Sequence, residues 1–180
     1  MAKRRRRAFV VGLTGSFGSG KTSVAKIWKK KGANVIDSDK LVHEVYKPNH
    51  PIGKKIKKSL RLKSLDRAQI GKIIFSKPAL RKRLERMIHP YVFKRIPEIV
   101  RKSKKRVAVI EMPLLFETDF QKKVDVVVLV IGKKNEIEKR LLKKGFSKEE
   151  IRRRWKAQWT AEKRQETRTS SLIILEVIRS

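Results

Sequence analysis

Glycine, lysine and threonine recur near the start of the chain at a spacing that suits triphosphate binding. The pattern G-x-x-x-x-G-K-[ST] is complete, directly after a predicted strand and directly before a predicted helix. Glycines let backbone N–H groups wrap phosphate oxygens, lysine adds a positive charge, and the threonine hydroxyl can bind Mg²⁺. A glycine turn that only joins strand to helix would need neither the lysine nor the threonine. The predicted nucleotide-contacting residues are Gly15, Ser16, Phe17, Gly18, Ser19, Gly20, Lys21, Thr22 and Ser23.

Two acidic residues follow the second predicted strand, in the sequence Val-Ile-Asp-Ser-Asp that ends at Asp39. Open α/β sheets place their ligands at the carboxyl ends of strands, so Asp37 or Asp39 could take a proton from an attacking hydroxyl. An alternative is that Asp39 only caps a helix that begins at Lys40, because aspartate is a common N-cap. The spacing of these residues leaves both interpretations open.

Apolar runs alternate with helical patterns along the chain, which predicts an α/β fold with a parallel sheet covered by helices. Strands are expected at residues 9–13, 34–36, 107–110 and 124–131, the last of them valine-rich and buried on both faces. Helices are expected at 22–31, 136–144 and 147–158, with Gly145 separating the last two. Residues 39–102 have a helical pattern that is punctuated by prolines.

The composition is strongly basic, with 49 Lys and Arg against 17 Asp and Glu, a formal charge of +32. Charge runs mostly solvate helix faces, so we expect weak, salt-sensitive binding of polyanions and no specific nucleic-acid recognition. The absence of cysteine excludes disulfides, thiolate metal sites and a cysteine nucleophile. No apolar run approaches the roughly 18 residues of a membrane span, so we expect a soluble, cytoplasmic protein. The chain length suits one domain.

Four ordered motifs resemble dephospho-coenzyme A kinase, a P-loop NTPase-type fold with a doubly wound parallel sheet, a helical acceptor-binding insertion and a lid. The resemblance covers residues 10 to 163 and implies transfer of phosphate from ATP to the ribose 3′-hydroxyl of dephospho-coenzyme A, with Mg²⁺. It also implies a core at about 8–47 and 105–135, an acceptor region at about 48–104 and a lid at about 136–166. The motifs are the phosphate loop, the Asp37–Asp39 pair, Leu84-Glu85-Arg86-Met87-Ile88-His89-Pro90, and Pro113-Leu114-Leu115-Phe116-Glu117.

The family assigns roles to individual positions of this sequence. Asp39 becomes the base that faces the ribose hydroxyl, and Asp37 supports the magnesium ion or its waters. Glu111 stands where the family commonly has aspartate, so it is a further candidate for magnesium through water. The acceptor would be held by Arg67, His89 and Leu114, and the triphosphate would be approached by the lid residues Arg140 and Arg154, with Lys21 on the migrating phosphate.

Some roles keep simpler alternatives. His89 precedes Pro90 and could end a helical turn, Arg140 and Arg154 could be surface residues, and Glu117 could be structural. The tryptophans at 28, 155 and 159 are interpreted as packing residues because of their helical settings. Another small-molecule kinase, or a basic nucleic-acid-binding NTPase, is the alternative function. The sequence leaves the oligomeric state, the nucleotide preference and the turnover open.

The segment from about Thr167 departs from the family, in which a strand of the form Ala-Asp-Phe-Val-Ile-Asp-Asn-Ser-Gly-Ser follows the lid. Codons chosen for Thr167 to Val177 can be read in another frame as this motif. We therefore predict that residues 167–180 are an aberrant tail that results from a reading-frame shift. The apolar residues from Leu172 to Leu175 are β-prone and are expected to add a short substitute strand.

Overall fold

The computed structural model describes residues 7–62, 64–66, 70–71, 78–167 and 171–176. The chain divides into two compact units, Met1–Ile36 with Ser103–Ser180, and Asp37–Lys102. We call the first the sheet unit and the second the helical unit. The predicted division into core, acceptor region and lid is a division by role, and it stays a prediction.

In the described part of the chain, five parallel strands build one sheet in the order β2-β3-β1-β4-β5, which confirms the predicted α/β class. β1 pairs with β3 from Phe9 opposite Val107, and with β4 from Val11 opposite Val126. The central residues of β1, β3 and β4 are buried, and for β4 this confirms the predicted burial on both faces. The strands are β1 Phe9–Gly15, β2 Asn34–Asp37, β3 Val107–Glu111, β4 Val126–Ile131 and β5 Leu172–Glu176.

Helix α1, Lys21–Lys30, covers one face of the sheet through Val24 and Ala25. These two side chains join Val11 and Leu13 of β1 in a buried cluster, and Trp28 packs against it. Each fully buried valine or leucine side chain contributes about 1.5–3 kcal/mol of transfer free energy. The cluster therefore fixes α1 directly behind the loop that connects it to β1.

The described residues after β4 include three further helices of the sheet unit, α5 Lys134–Lys143, α6 Lys148–Lys156 and α7 Ala161–Glu166. The first two were predicted, and the turn between them contains Gly145 at φ 87°. A buried cluster of Ile137, Leu141 and Ile151 holds α5 against α6. We call this pair, residues 134–156, the lid hairpin. Helix α7 was not predicted; Thr160 caps it.

The helical unit contains α2 Ser38–Val45, α3 Pro51–Ser59 and α4 Pro78–Lys102. Helix α4 continues through Pro90 and Pro97, because its apolar residues recur on one face at helical spacing. The buried members of that face are Leu84, Ile88, Val92 and Ile96. None of the described helices is long and apolar enough to cross a membrane.

Candidate functional site

The loop between β1 and α1 has a backbone that only glycine adopts readily. Gly15 has φ 153° and Gly20 has φ 106°. A Cβ atom on Gly15 would lie 2.3 Å from the carbonyl oxygen of Val130 on the neighbouring strand. The first glycine of the motif is therefore required by the close approach of β4, and the second by the turn into the helix.

Lys21 lies inside this loop and is almost fully buried, with 8% of its surface exposed. Its Nζ donates hydrogen bonds to the carbonyl oxygens of Gly15 and Ser16, both at 2.9 Å. A buried ammonium needs such acceptors, since an unpaired one costs several kcal/mol. The loop thus concentrates positive charge where the motif predicts phosphate, and the carbonyl groups hold the lysine side chain there.

Thr22 and Glu111 meet at the start of α1. The Thr22 hydroxyl donates to Glu111 Oε1 at 2.6 Å, and Glu111 ends β3 with 9% of its surface exposed. A hydroxyl oxygen beside a carboxylate is a hard oxygen pair of the kind that Mg²⁺ prefers. The described residues include no group of three or more His, Cys, Asp or Glu that could hold a metal by themselves. The pair fits a magnesium ion that takes its remaining ligands from phosphate and water.

Phe17, at the outer tip of the loop, is bound by the lid hairpin and the turn after it. The Phe17 N–H donates to Gln158 Oε1 at 2.9 Å, and the Trp155 indole donates to the Phe17 carbonyl oxygen at 3.0 Å. The guanidinium of Arg154 lies 4.5 Å from the centre of the Phe17 ring and also pairs with Glu150 at 2.7 Å. Sequence reasoning missed the contacts of Trp155 and Gln158.

Arg140 of α5 donates a hydrogen bond to the carbonyl oxygen of Gly18. Gly18 itself has φ 82°, and a Cβ there would lie 2.8 Å from Ile137 and Leu141. Both predicted lid arginines therefore contact the phosphate loop in this structure. The alternative that they are simple surface residues is wrong, since each makes specific contacts with the loop.

The turn after β3 carries Leu114, which is partly exposed, and Glu117. Glu117 Oε1 accepts from Arg164 Nη2 at 3.0 Å and from the Trp159 N–H at 2.8 Å. Arg164 is fully buried and also donates to the Pro113 carbonyl oxygen at 3.3 Å. The ion pair between Arg164 and Glu117, which was not predicted, connects α7 to the turn. These contacts fit the alternative in which Glu117 is structural.

In the helical unit, Asp37 is the N-cap of α2. Its Oδ1 accepts from the backbone N–H of Asp39 at 3.0 Å and of Lys40 at 3.3 Å. The alternative that Asp39 caps a helix beginning at Lys40 is therefore wrong, because α2 begins at Ser38 and Asp37 caps it. Asp39 occupies the first turn with an exposed side chain, where a carboxylate is accessible to a substrate.

His89 lies half-buried in the middle of α4, with its ring stacked on Phe93 at 5.5 Å. Burial lowers the pKa of His89 below its ordinary 6.5, and the nearby Glu85 opposes part of that shift. The alternative that His89 ends a helical turn is wrong, because α4 continues to Lys102. The predicted acceptor residue Arg67 lies outside the described residues.

Residues 9–175 match the family model described as dephospho-CoA kinase. The chain belongs to the dephospho-CoA kinase family. A dephospho-CoA kinase of Aquifex aeolicus is 31% identical over 161 residues, which cover 86% of this chain and 82% of the relative. One of Thermobifida fusca is 35% identical over 162 residues, with 86% and 81% covered. The crystal structure of TT1252 from Thermus thermophilus, 28% identical, superposes with a TM-score of 0.84 and covers 97% of this chain and 91% of that chain.

Membership of the dephospho-CoA kinase family implies a phosphotransferase that uses ATP. The resemblance read from the four motifs is thereby confirmed, and so is the kinase assignment. The family match also extends past Thr167 to residue 175, so it includes most of β5.

Proposed function

We propose that this chain transfers the γ-phosphoryl group of ATP to the ribose 3′-hydroxyl of dephospho-coenzyme A. The 3′-oxygen forms a bond to the γ-phosphorus, the bond from that phosphorus to the β–γ bridging oxygen breaks, and ADP leaves with coenzyme A as product. The observation that supports this most is the complete phosphate loop with its buried Lys21 and its Thr22–Glu111 pair, in a member of this family.

On the nucleotide side, Lys21 exchanges the carbonyl oxygens of Gly15 and Ser16 for phosphate oxygens, since an anion is the better partner of an ammonium. Thr22 and Glu111 would hold a magnesium ion, directly or through water. When bound, that ion would neutralise charge on the phosphates and align them. Arg140 and Arg154, already on the loop, supply further positive charge as the transferred group moves.

On the acceptor side, Asp39 accepts the proton of the 3′-hydroxyl through its carboxylate. Asp37 orients the start of α2 by capping it, and this fixes where Asp39 is presented. Asp37 also remains a candidate for supporting the waters of the magnesium ion. The lowered pKa of His89 favours its neutral form, so it acts as a hydrogen-bonding group rather than a cation. Arg67 and Leu114 complete the proposed acceptor contacts.

The test is ADP release by the purified chain with a panel of acceptors at fixed ATP and Mg²⁺. We expect dephospho-coenzyme A to support turnover, and 3′-deoxy-dephospho-coenzyme A, nucleoside monophosphates and small sugars to give none. The Lys21→Ala variant should lose most of the turnover, which ties the signal to this site. Equal or faster turnover with another acceptor would replace the proposed substrate by that one.

A further inference from the structure

The phosphate loop is held at its tip by two side chains that the reaction itself does not use. Gln158 accepts a hydrogen bond from the Phe17 N–H at 2.9 Å, and Trp155 donates one to the Phe17 carbonyl oxygen at 3.0 Å. Both backbone polar groups of one loop residue are therefore satisfied by residues of α6 and the turn that follows it.

The side chain of Phe17 strengthens the same attachment. Its ring meets Phe146 edge-on, with the ring centres 5.3 Å apart and an angle of 90° between the planes. Phe17, Phe146 and Trp155 all pack against the buried residues Ile137, Leu141 and Ile151 of the lid hairpin. Phe17 is the only bulky apolar residue in the glycine-rich motif, so it is the one side chain of the motif suited to join this apolar cluster.

Anchoring matters because a glycine-rich loop is conformationally free. Fixing the backbone of a residue in one conformation costs free energy, and glycine loses the most conformational freedom. If the loop is already fixed before ATP binds, the free energy of nucleotide binding is not reduced by the cost of ordering the loop. The Phe17 N–H donates to Gln158, and the direction of this peptide sets the direction of the N–H groups that follow.

We infer that Trp155 and Gln158 are positioning residues that hold the peptide of Phe17 in the shape that binds the triphosphate. They act through the loop backbone and touch neither phosphate nor acceptor in this role. The inference rests on the proposed function only for ATP binding at the loop. Its prediction is that removing either hydrogen bond weakens ATP binding and leaves the affinity for the acceptor as it is.

The test uses Trp155→Phe, which keeps a ring but removes the indole N–H, and Gln158→Leu, which keeps the Cβ–Cγ–Cδ part of the side chain but removes the amide oxygen that accepts the hydrogen bond. Leaving a backbone group without its hydrogen-bond partner destabilises the shape of the loop that binds phosphate. We therefore expect the Kd of a fluorescent ATP analogue to rise about 5- to 150-fold in each variant, the factor that corresponds to about 1–3 kcal/mol. The KM for ATP should rise by the same factor, while the KM for dephospho-coenzyme A should stay within twofold.

Trp159→Phe is a matched control. The Trp159 ring stacks on Phe116, with the ring centres 6.4 Å apart, and takes no part in the hydrogen bonds to Phe17. We expect its Kd for the analogue to equal that of the unmodified chain. The double variant Trp155→Phe/Gln158→Leu should bind no more than about threefold more weakly than the worse single variant. Two side chains that hold one peptide are coupled, so their effects are not additive.

Three results would overturn the inference: an unchanged Kd in either single variant, a loss as large in Trp159→Phe, or a double variant whose loss is the product of the two single losses. Thermal unfolding of each variant is measured alongside, and a lower midpoint with unchanged nucleotide affinity would show a structural role only. If ATP binding responds as expected but no acceptor is phosphorylated, the inference stands and the proposed function fails.

Discussion

Thr22 donates its hydroxyl to the carboxylate of Glu111 across 2.6 Å, joining the first turn of α1 to the end of β3. The two residues are far apart in sequence, and only the pairing of β1 with β3 brings them together. Both place side-chain oxygen atoms at the end of the sheet where the loop begins. The proposed magnesium site in the sheet unit rests on this pair.

Glu111→Gln should raise the Mg²⁺ concentration that gives half-maximal turnover about tenfold, because an amide oxygen is a weaker magnesium ligand than a carboxylate. Turnover is measured at fixed ATP across a magnesium titration. Glu138→Gln in α5 is the control with the same change of charge and should leave the titration as it is. An unchanged midpoint for Glu111→Gln would assign Glu111 a purely structural role.

Asp39→Asn should slow transfer at saturating substrates at least tenfold, since a general base contributes about 10²–10⁴-fold. ATP affinity should stay nearly intact, as the loop residues that hold the nucleotide are unchanged. Single-turnover rates and nucleotide binding are measured on the same preparation. If ATP affinity collapses while turnover at saturation survives, Asp39 is a metal ligand and not the base.

The stability of the chain should fall as the pH drops below 6.5, in part because of His89. Its lowered pKa means that the folded chain binds fewer protons there than the unfolded chain does, so acid favours unfolding. The contribution of His89 to the free energy of unfolding is present above pH 6.5 and is lost between that value and the lower pKa of the folded state. Urea unfolding is measured at pH 7.5, 6.5 and 5.5 for the unmodified chain and for His89→Gln. From pH 7.5 to 5.5 the variant should lose less free energy of unfolding than the unmodified chain; equal losses would contradict the prediction.

A row of cations on α4 should bind nucleic-acid duplexes weakly, with an affinity that falls as salt is added. Arg83, Arg86, Lys94 and Arg101 are all exposed and recur at i, i+3, i+11 and i+18, close to one line along the helix. The acidic residues of α4 pair with other partners, Glu85 with Arg81 and Glu98 with Arg95. Each cation that contacts phosphate adds about 0.9 to the salt slope of the binding constant.

Fluorescence anisotropy over a salt series measures that slope. Arg83→Gln/Arg86→Gln should lower it by one to two, and Lys26→Gln/Lys29→Gln on α1 is a control that removes the same net charge. Equal effects of the two pairs would mean that binding is spread over the whole basic surface. Salt-resistant, sequence-selective binding would support the nucleic-acid-binding alternative instead.

The C-terminal strand provides a further test. The expected short strand is confirmed, because Leu172–Glu176 pairs in parallel with β4. It leaves Ile173, Ile174 and Leu175 exposed by 52%, 49% and 38%, which is unusual for apolar residues in a sheet unit. The reading-frame shift stays a prediction. Sequencing the gene should reveal the family motif in another frame under residues 167–177, and restoring that frame should raise both the unfolding midpoint and the turnover.

Local patterns were enough to predict most of the elements of the sheet unit. The strand at 107–110 and the turn at Gly145 lie where the sequence predicts them. Apolar periodicity, valine content and turn residues determine secondary structure within a few neighbouring positions, so these elements can be predicted locally. Helix α7 was missed, since it is short and has few apolar residues. The continuation of α4 through Pro90 follows from the burial of Ile88 and Val92 on both sides of it, which proline propensity alone does not predict.

The sequence by itself determined the phosphate loop and the family, because a contiguous motif places its own backbone N–H groups, lysine and threonine through local geometry alone. Only the tertiary structure decided the partners of those residues. Glu111 reaches Thr22 through strand pairing, Trp155 and Gln158 reach Phe17 through the packing of the lid hairpin, and Arg164 reaches Glu117 in a buried position. Such contacts join residues tens of positions apart, and no local period or propensity encodes which of them meet.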